Sequence, residues 1–360
     1  MIDYEKCLEN PPYSLGKEEK EAFLTKYLLE LTKHHKESCR PYEKILEAES
    51  VDLNNVCSYE ELPFLPVRMF KDMELRSIEE EEIKKTITSS GTTGQQVSRI
   101  YLDQKTSMLQ TKTLTKIVGD FLGNKRLPML ILDSSAVLKD RKMFSARGAG
   151  ILGFSIFGRD KMYALNENME LDLEGLQMFL EKHKGEKIFL FGFTFMIWQY
   201  FCSELERTGF HPDLSKGVLI HGGGWKKLDS FHISSKDFKE KLRQTCGISE
   251  VYDYYGMAEQ TGTIYMECEY GHLHASIFSD ILVRRPGDFS LASIGEEGLI
   301  ETVSVLPWSY PGHLLLTEDE GVILGEDDCP CKRKGKYFKV KGRIRNAELR
   351  GCSDTYAEGI

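Results

Sequence analysis

The chain has 360 residues, of which 47 are Lys or Arg and 56 are Asp or Glu, giving a formal net charge of -9 at pH 7. This balance excludes a general basic surface for nucleic acid or anionic lipid, so any phosphate site must be local. The mean hydropathy is -0.35, and no apolar run approaches the ~20 residues of a membrane span. The N-terminus lacks a signal-peptide pattern, so we expect a cytoplasmic protein with reduced cysteines.

Apolar periodicity predicts the elements in chain order. A helix is expected over residues 17–37, with Phe23, Tyr27, Leu28 and Leu31 on one face, as an outer helix. An extended connector follows and leads into a charged stretch at residues 79–85. Short apolar runs then alternate with helical periods, which indicates a largely parallel sheet covered by helices. The predicted strands are residues 128–133, 187–192, 217–221 and 250–255, and the predicted helices are residues 171–183, 196–207 and 237–244.

From residue 276 the pattern changes to strands separated by Gly and Pro turns. These strands are predicted at residues 277–283, 299–305, 313–317 and 337–340. We therefore expect an α/β fold with a large N-terminal α/β portion and a smaller β-rich C-terminal subdomain. The predicted division is a helical segment at residues 1–60, an α/β core at 61–275, a β-rich subdomain at 276–343 and a short tail at 344–360.

A loop rich in hydroxyl groups and glycine follows the charged stretch. It consists of Ser89, Ser90, Gly91, Thr92, Thr93 and Gly94. Glycines let backbone N–H groups converge and the hydroxyls add further donors, which suits a triphosphate. The loop lacks the Gly-Lys-Ser/Thr ending of a P-loop. A flexible polar loop between two strands is the alternative interpretation.

Four more motifs follow this loop, and their order resembles that of a known superfamily. They are Gly222-Gly223-Gly224, Tyr254-Tyr255-Gly256-Met257-Ala258-Glu259, Thr317-Glu318-Asp319 and Lys341-Gly342-Arg343. With the loop, they resemble the nucleotide-binding motifs of the adenylate-forming enzymes. The chain departs from that pattern at Ala258, where the superfamily has Thr, and at Glu318, where it has Gly.

The resemblance implies a fold and a set of site residues. The α/β core would bind ATP and the acyl group, and Glu259 would be a catalytic carboxylate that holds Mg²⁺ against the phosphates. The ATP-binding residues implied in this way are Ser89, Ser90, Gly91, Thr92, Thr93, Gly94, Gly223, Gly224, Tyr255, Gly256, Asp319 and Arg343. Taken singly, a residue such as Glu259 is more often a solvated carboxylate, and one such as Asp319 more often belongs to an ordinary turn; the order of the motifs favours the nucleotide-binding role.

The C-terminal end narrows the resemblance to one branch. The superfamily normally continues past its Gly-Arg hinge into a mobile domain with an assisting Lys, and we expect that domain to be truncated here. Lys226, Lys227 and Lys341 are the open candidates for a substitute. The tail around Cys352 resembles the LuxE-type acyl-protein synthetases, which activate a long-chain fatty acid as acyl-AMP and then carry it on a C-terminal cysteine.

The implied reaction has two steps and defined partners. ATP and Mg²⁺ would activate a carboxylic acid, most specifically a fatty acid, and the Cys352 thiolate would displace AMP to form a thioester. Arg343, Arg345 and Arg350 would favour that thiolate. An acyl reductase or another acceptor protein would then receive the acyl group. The alternatives are a stray terminal cysteine in a carboxylate-CoA ligase resembling phenylacetate-CoA ligase, or a non-catalytic nucleotide-binding subunit of a complex.

A second group of cysteines predicts a metal site. Two thiols one residue apart, together with a Cys and a His on a hairpin, would supply four ligands for tetrahedral zinc. Phenylacetate-CoA ligases carry a similar pattern. The expected ligands are Cys268, His274, Cys329 and Cys331, with His272 as the alternative histidine. Reduced buried thiols without a metal explain the same pattern equally well.

Overall fold

The computed structural model describes residues 4–88, 97–138, 146–223 and 233–344, which form two compact units. Unit 1 contains the described residues up to Phe121 and those from Gly256 onward. Unit 2 contains the described residues between Leu122 and Tyr255. The four-part division made from the sequence stays a prediction.

The described residues contain helices that match each predicted helical period. They are α1 (Tyr4–Glu9), α2 (Lys17–Ser38), α3 (Arg40–Ala48), α4 (Met69–Asp72), α5 (Gln104–Leu122), α6 (Ala146–Phe154), α7 (Leu173–Lys182), α8 (Thr194–Met196), α9 (Ser203–Thr208) and α10 (Ser235–Cys246). A π-helical segment, Ile197–Cys202, joins α8 to α9. Ser234 begins α10 with a capping box, and Gly247 ends it with φ of 79°.

The strands also match every predicted apolar run. They are β1 (Leu65–Pro66), β2 (Lys85–Thr88), β3 (Arg99–Leu102), β4 (Leu127–Ser134), β5 (Gly158–Leu165), β6 (Ile188–Phe193), β7 (Gly217–Gly222), β8 (Glu250–Tyr255), β9 (Tyr265–Glu267), β10 (Leu273–His274), β11 (Ser279–Arg284), β12 (Glu297–Ser304), β13 (Leu314–Glu326) and β14 (Lys336–Arg343). β2 and β3 form a separate antiparallel pair.

Unit 2 is built on a parallel sheet in the order β8-β7-β6-β4-β5. Every residue of β6 and β7 is buried, as expected for strands covered on both faces. On one face, Leu190 and Leu219 pack with side chains of α7, α9 and α10. On the other face, Phe154 of α6 stacks on Phe191 with ring centroids 4.3 Å apart. The predicted parallel sheet covered by helices is therefore confirmed.

Unit 1 contains an antiparallel sheet in the order β11-β12-β13-β14-β10-β9. The short β1 runs parallel to β13, with Leu65 opposite Leu315. In the β13–β14 hairpin, Asp319 lies opposite Arg343. The β10–β14 pairing sets His274 opposite Tyr337. These two registers bring together residues that are far apart in the sequence.

Helix α2 packs one face into unit 1, as its pattern predicts. Leu24, Leu28 and Leu31 are fully buried, whereas the predicted face members Phe23 and Tyr27 are only half-buried. Glu18, Lys26 and Lys33 are exposed, so the helix buries one face and leaves the other in solvent, as expected for an outer helix. Its apolar stripe is narrow because the buried surface of this helix also contains polar side chains that the sheet satisfies.

One of these polar side chains is Lys20, which is 2% exposed. Its Nζ lies 3.2 Å from Oδ1 of Asp280, and Nζ of Lys336 lies 3.3 Å from Oδ2 of the same carboxylate. The Tyr59 hydroxyl donates to Asp280, and Lys336 also contacts Glu60 at 3.1 Å. Burial alone would raise the pKa of Asp280, but the two ammonium groups outweigh it and lower that pKa. Asp280 is thus an ionised carboxylate at the centre of a buried charge network.

Two buried histidines lie where α2 meets the segment before β13. His35 donates from Nε2 to the carbonyl oxygen of Pro307 at 3.0 Å, so its Nδ1 accepts from the Ser77 hydroxyl at 2.7 Å. Nε2 of His313 lies 2.9 Å from the hydroxyl of Thr32, whose own hydrogen goes to the preceding turn of α2. Burial lowers the pKa of His313 to about 3, and it lowers the pKa of His35 well below its usual value. Both rings are therefore neutral in the folded protein.

We expect unit 1 to lose stability as the pH falls from 7 to 5. Unfolded histidine binds a proton near pH 6.5, whereas His313 stays neutral until about pH 3. Its contribution is complete above pH 6.5 and is lost below it, by roughly 2 kcal/mol at pH 5. Urea unfolding followed by tryptophan fluorescence at several pH values measures this slope. His313→Gln should flatten the slope and His211→Gln, at an exposed position, should not; equal slopes in both variants would contradict the assignment.

Candidate active site

The carboxyl ends of the parallel strands of unit 2 form one edge of its sheet. In the order β8-β7-β6-β4-β5, the chain first adds β5 on one side of β4 and then β6, β7 and β8 on the other. In sheets of this kind, ligands bind beyond the carboxyl ends of the strands, near the point where the order reverses. Gly222, Gly223 and Tyr255 lie at this edge, which is consistent with their predicted nucleotide-binding role.

The glycines at the end of β7 are required by close packing. A Cβ on Gly222 would overlap the ring of Tyr254, and a Cβ on Gly223 would lie 3.0 Å from the Phe193 ring. Gly223 also has φ of 93°, a conformation that side chains other than glycine rarely adopt. The backbone after β7 is therefore held close to two aromatic rings, and Tyr255 beside it is half-buried.

Sequence reasoning missed two polar side chains under these glycines. The hydroxyl of Thr194 donates to the carbonyl oxygen of Gly222 at 3.1 Å and lies 2.9 Å from Nδ1 of His221. Both residues are fully buried. Burial, with a smaller effect from Lys239, lowers the pKa of His221 to about 3, so the ring is neutral. In the sequence, Thr194 and His221 are marked only by their position at the end of an apolar run.

A buried ion pair lies at the end of β4. Nε of Arg147 is 3.0 Å from Oδ2 of Asp133, and both side chains are almost fully buried. Burial raises the pKa of Asp133 although Arg147 opposes that effect. The pair joins the carboxyl end of β4 to the start of α6, at the edge where the strand order reverses. This pair could not be predicted from the sequence, because neither residue stands in a recognisable motif.

In unit 1, Glu259 lies in a short 3-10 helix, Ala258–Gln260, whose backbone is fixed by buried side chains. Glu259 is 7% exposed. The Tyr310 hydroxyl donates to its carbonyl oxygen at 2.8 Å. Nε2 of Gln260 donates to the carbonyl oxygens of Thr302 and Gly312 at 3.1 and 2.9 Å. These supporting residues were not predicted, although the turn at Gly312 is visible in the sequence as Pro-Gly.

Asp319 and Arg343, two of the predicted ATP-binding residues, lie together in unit 1. Nε of Arg343 is 3.3 Å from Oδ1 of Asp319. Thr317 orients this part of β13, since its hydroxyl donates to the carbonyl oxygen of Ile300 at 2.8 Å and accepts from the N–H of Asp319 at 3.1 Å. Two motifs that are separate in the sequence thus meet across one hairpin. Gly256, another predicted ATP-binding residue, is exposed and lies elsewhere in the same unit.

The predicted metal ligands of unit 1 also lie together. One ligand atom from each of Cys268, His274, Cys329 and Cys331 lies within 4.8 Å of the others. Three of the four residues are buried, and Cys331 is partly exposed. Burial is the largest cause that raises the pKa of Cys329 to about 12. A thiol in this position is protonated at neutral pH unless a cation binds.

Several predicted residues lie outside the described residues. They are Ser89, Ser90, Gly91, Thr92, Thr93, Gly94, Gly224, Lys226, Lys227, Arg345, Arg350 and Cys352. The hydroxyl-rich loop joins β2 to β3, whose register places Thr88 opposite Arg99. Lys341 is described, and its Nζ lies 2.9 Å from Oε1 of Glu297. The roles of all these residues stay predictions.

Comparison with known families identifies the chain. The family model described as acyl-protein synthetase, LuxE, matches residues 2–360. The chain belongs to this family. It is therefore an ATP-dependent acid ligase, and the resemblance seen in its motifs is confirmed.

Curated relatives agree with the family match. The long-chain-fatty-acid–luciferin-component ligase of Aliivibrio fischeri is 21% identical over 315 residues, which cover 85% of this chain and 81% of that protein. The ligase of the same name from Vibrio harveyi is 22% identical over 310 residues, covering 84% and 77% of the two chains. The chain thus spans most of the length of these relatives.

Solved structures confirm the predicted adenylate-forming fold. A 2-hydroxyisobutyryl-CoA ligase in complex with 2-HIB-AMP and CoA has a TM-score of 0.69 at 14% identity. The match covers 93% of this chain and 70% of that one. At this identity the likeness concerns the fold alone. No helix among the described residues is long and apolar enough to cross a membrane.

Proposed function

We propose that the protein activates a long-chain fatty acid as acyl-AMP and then carries the acyl group as a thioester on Cys352. The observation that carries this proposal is the family match over residues 2–360, which includes both the hydroxyl-rich loop and Cys352. The chain length of the acid is suggested by the names of the curated relatives, which specify a long-chain fatty acid.

The two proposed steps balance chemically. A carboxylate oxygen attacks the α-phosphorus of ATP, the bond from that phosphorus to the bridging oxygen breaks, and pyrophosphate leaves with the electron pair. The Cys352 thiolate then attacks the acyl carbon, so a C–S bond forms and the mixed anhydride bond to AMP breaks. The thiol proton passes to solvent before the attack. AMP is a far better leaving group than the oxide of a free carboxylate.

The contact between Asp319 and Arg343 is evidence for the proposed nucleotide binding in unit 1. A carboxylate accepts hydrogen bonds from the two hydroxyls of a ribose, and Arg343 restricts the position of the Asp319 carboxylate from across the hairpin. Tyr255 and Gly223, at the sheet edge of unit 2, are the proposed adenine-binding residues. The hydroxyl-rich loop from Ser89 to Gly94 would hold the phosphates.

Glu259 is the proposed Mg²⁺ ligand. Mg²⁺ at nucleotide sites takes one or two carboxylates and completes its shell with phosphate oxygens and water, so a single carboxylate fits. The hydrogen bonds from Tyr310 and Gln260 hold the backbone of the Glu259 turn in place. When bound, Mg²⁺ would neutralise part of the negative charge on the phosphates. Glu259 would hold the metal through its carboxylate.

We also place the protein in the cytoplasm, with a partner that accepts the acyl group. A thioester keeps that group reactive toward reduction or further transfer. An acyl reductase or another acceptor protein is therefore the expected partner.

The test is an intact-protein mass spectrum after incubation with ATP, Mg²⁺ and carboxylic acids of graded chain length. We expect the mass of one acyl group to be added, and hydroxylamine to remove it. Cys352→Ser should lose the adduct and still release pyrophosphate, because activation precedes transfer. The matched control is Cys57→Ser, at the exposed cysteine of the described residues, which should be acylated normally.

Other outcomes contradict the proposal in distinct ways. An adduct that persists in Cys352→Ser would show that another residue carries the acyl group. AMP production that appears only after CoA is added, with no protein adduct, would favour a carboxylate-CoA ligase. ATP binding without pyrophosphate release under any of these conditions would contradict both activation and transfer.

A further inference from the structure

The cysteine–histidine cluster of unit 1 joins two hairpins. Cys268 and His274 belong to the β9–β10 hairpin, and Cys329 and Cys331 to the connection between β13 and β14. The antiparallel pairing of β10 with β14 brings these turns together, since His274 lies opposite Tyr337. The four side chains point to one small volume, with ligand atoms within 4.8 Å of one another.

The distances within this cluster suit a tetrahedral ion. Zinc bonds of about 2.3 Å to sulfur and about 2.05 Å to nitrogen separate two sulfurs by about 3.8 Å, and a sulfur from a nitrogen by about 3.6 Å. Sγ of Cys268 lies 4.0 Å from Sγ of Cys329. Sγ of Cys331 lies 3.3 Å from Nε2 of His274. Small shifts of the side chains would therefore bring all four atoms into bonding range.

The backbone around the cysteines is arranged to stabilise thiolates. The N–H of Tyr270 donates to Sγ of Cys268 at 3.4 Å, and the N–H of Arg333 donates to Sγ of Cys331 at 3.5 Å. In both turns the donor is two residues after the cysteine, and Gly271 closes the first turn with φ of 77°. Hydrogen bonds to sulfur favour the charged form that a metal requires.

We propose that Cys268, His274, Cys329 and Cys331 bind one Zn²⁺ as a closed structural site. Three thiolates and one imidazole complete the tetrahedral shell that zinc adopts in such sites, and they leave no position for a substrate. The thiol protons pass to solvent when the metal binds. This inference is independent of the proposed acyl transfer.

His274 is the ligand and His272 is a neighbour in this proposal. His274 is fully buried and its Nε2 faces Cys331. His272 is half-buried, and its Nδ1 lies 3.4 Å from Sγ of Cys329. That distance suits a hydrogen bond from the ring to a metal-bound sulfur. Both rings stack on Tyr337, which limits their rotation.

The bound metal would hold the β13–β14 hairpin against β9 and β10. Cys329 and Cys331 lie at the turn of this hairpin, and the Asp319–Arg343 pair lies toward its other end. Zinc would thus fix the position of the strands that carry these two predicted ATP-binding residues, without touching a substrate. Loss of the metal should lower thermal stability first and nucleotide binding only as a consequence.

Metal analysis of the purified full-length chain tests the site directly. We expect about one equivalent of zinc per chain after extensive dialysis, as in other structural sites. Replacement by Co²⁺ should give the absorption of tetrahedral cobalt with thiolate-to-metal charge transfer. Cys329→Ser and His274→Gln should each lose most of the zinc, whereas Cys57→Ser and His272→Gln should keep it.

The wild-type measurement keeps the test decisive even if a variant fails to fold. Absence of zinc from wild-type protein refolded with Zn²⁺ and reductant would overturn the site. A disulfide between Cys268 and Cys329 in protein isolated under reducing conditions would also overturn it. Zinc lost in His272→Gln but kept in His274→Gln would overturn the ligand assignment. Acylation of Cys352 is measured separately, so either proposal can fail alone.

Discussion

Glu259→Gln should lower the rate of pyrophosphate release by about two to three orders of magnitude, which is the usual loss when one preorganised charge-stabilising group is removed. The change removes the charge that we propose holds Mg²⁺ but keeps the size of the side chain. Tyr310 and Gln260 hold the backbone of this turn and do not depend on the charge. The fold should therefore persist. Pyrophosphate release at saturating ATP, measured across a range of Mg²⁺ concentrations, is the readout.

Glu47→Gln is the matched control for this prediction. It makes the same chemical change at an exposed position of α3, and activity should be unchanged. The Mg²⁺ concentration needed for half-maximal activity should rise in Glu259→Gln and not in the control. If Glu259→Gln loses activity with an unchanged Mg²⁺ requirement, Glu259 acts in some way other than as a metal ligand.

Asp280→Ala should destabilise the protein by about 3 to 5 kcal/mol, the usual cost of breaking a buried ion pair from one side. Asp280 is 2% exposed and it contacts two ammonium groups, Lys20 and Lys336. Its removal leaves the buried Lys20 ammonium without the carboxylate that it contacts, and Lys336 keeps only its contact with Glu60. Urea unfolding at pH 7, monitored by tryptophan fluorescence and circular dichroism, gives the change in the free energy of unfolding.

The exposed pair Lys341–Glu297 supplies the comparison. Its side chains are 47% and 64% exposed, so Glu297→Gln should leave the urea midpoint nearly unchanged because exposed ion pairs contribute little. Because the pKa of Asp280 is lowered in the folded protein, the free energy of unfolding should also depend on pH. The stability that this carboxylate contributes is complete above the usual carboxyl pKa and is lost as the pH falls below it, and Asp280→Asn should remove this part of the acid sensitivity. Similar midpoints for Asp280→Ala and Glu297→Gln would contradict the buried-network assignment.

The sequence by itself determined the elements whose apolar residues form a continuous run or recur at a simple period. The apolar runs of β6 and β7 are buried on both faces, and such runs are visible without any tertiary information. Other elements had no such signal and were not predicted, and α5 and β5 show why. Helix α5 buries Thr106 and Thr113, and threonine has low helix propensity. Strand β5 begins with three exposed charged residues after its first glycine, which hides its apolar end.

The sequence also determined the chemistry that is available, through motifs whose order identified the family. Glu259, Asp319, Arg343 and the cysteines could be named because their neighbours form local patterns. Their supporting residues could not be named, because Tyr310 contacts the Glu259 backbone from 51 residues away. No local pattern encodes a contact of that separation.

The tertiary structure alone decided which of these groups meet. The register of the β13–β14 hairpin places Asp319 opposite Arg343, and the pairing of β10 with β14 closes the gap between Cys268 and Cys329. A shift of one residue in either register would turn each side chain to the opposite face of the sheet. Periodicity specifies which face of an element is buried, whereas register depends on all the strands that pack together, so only the folded chain defines the geometry of both sites.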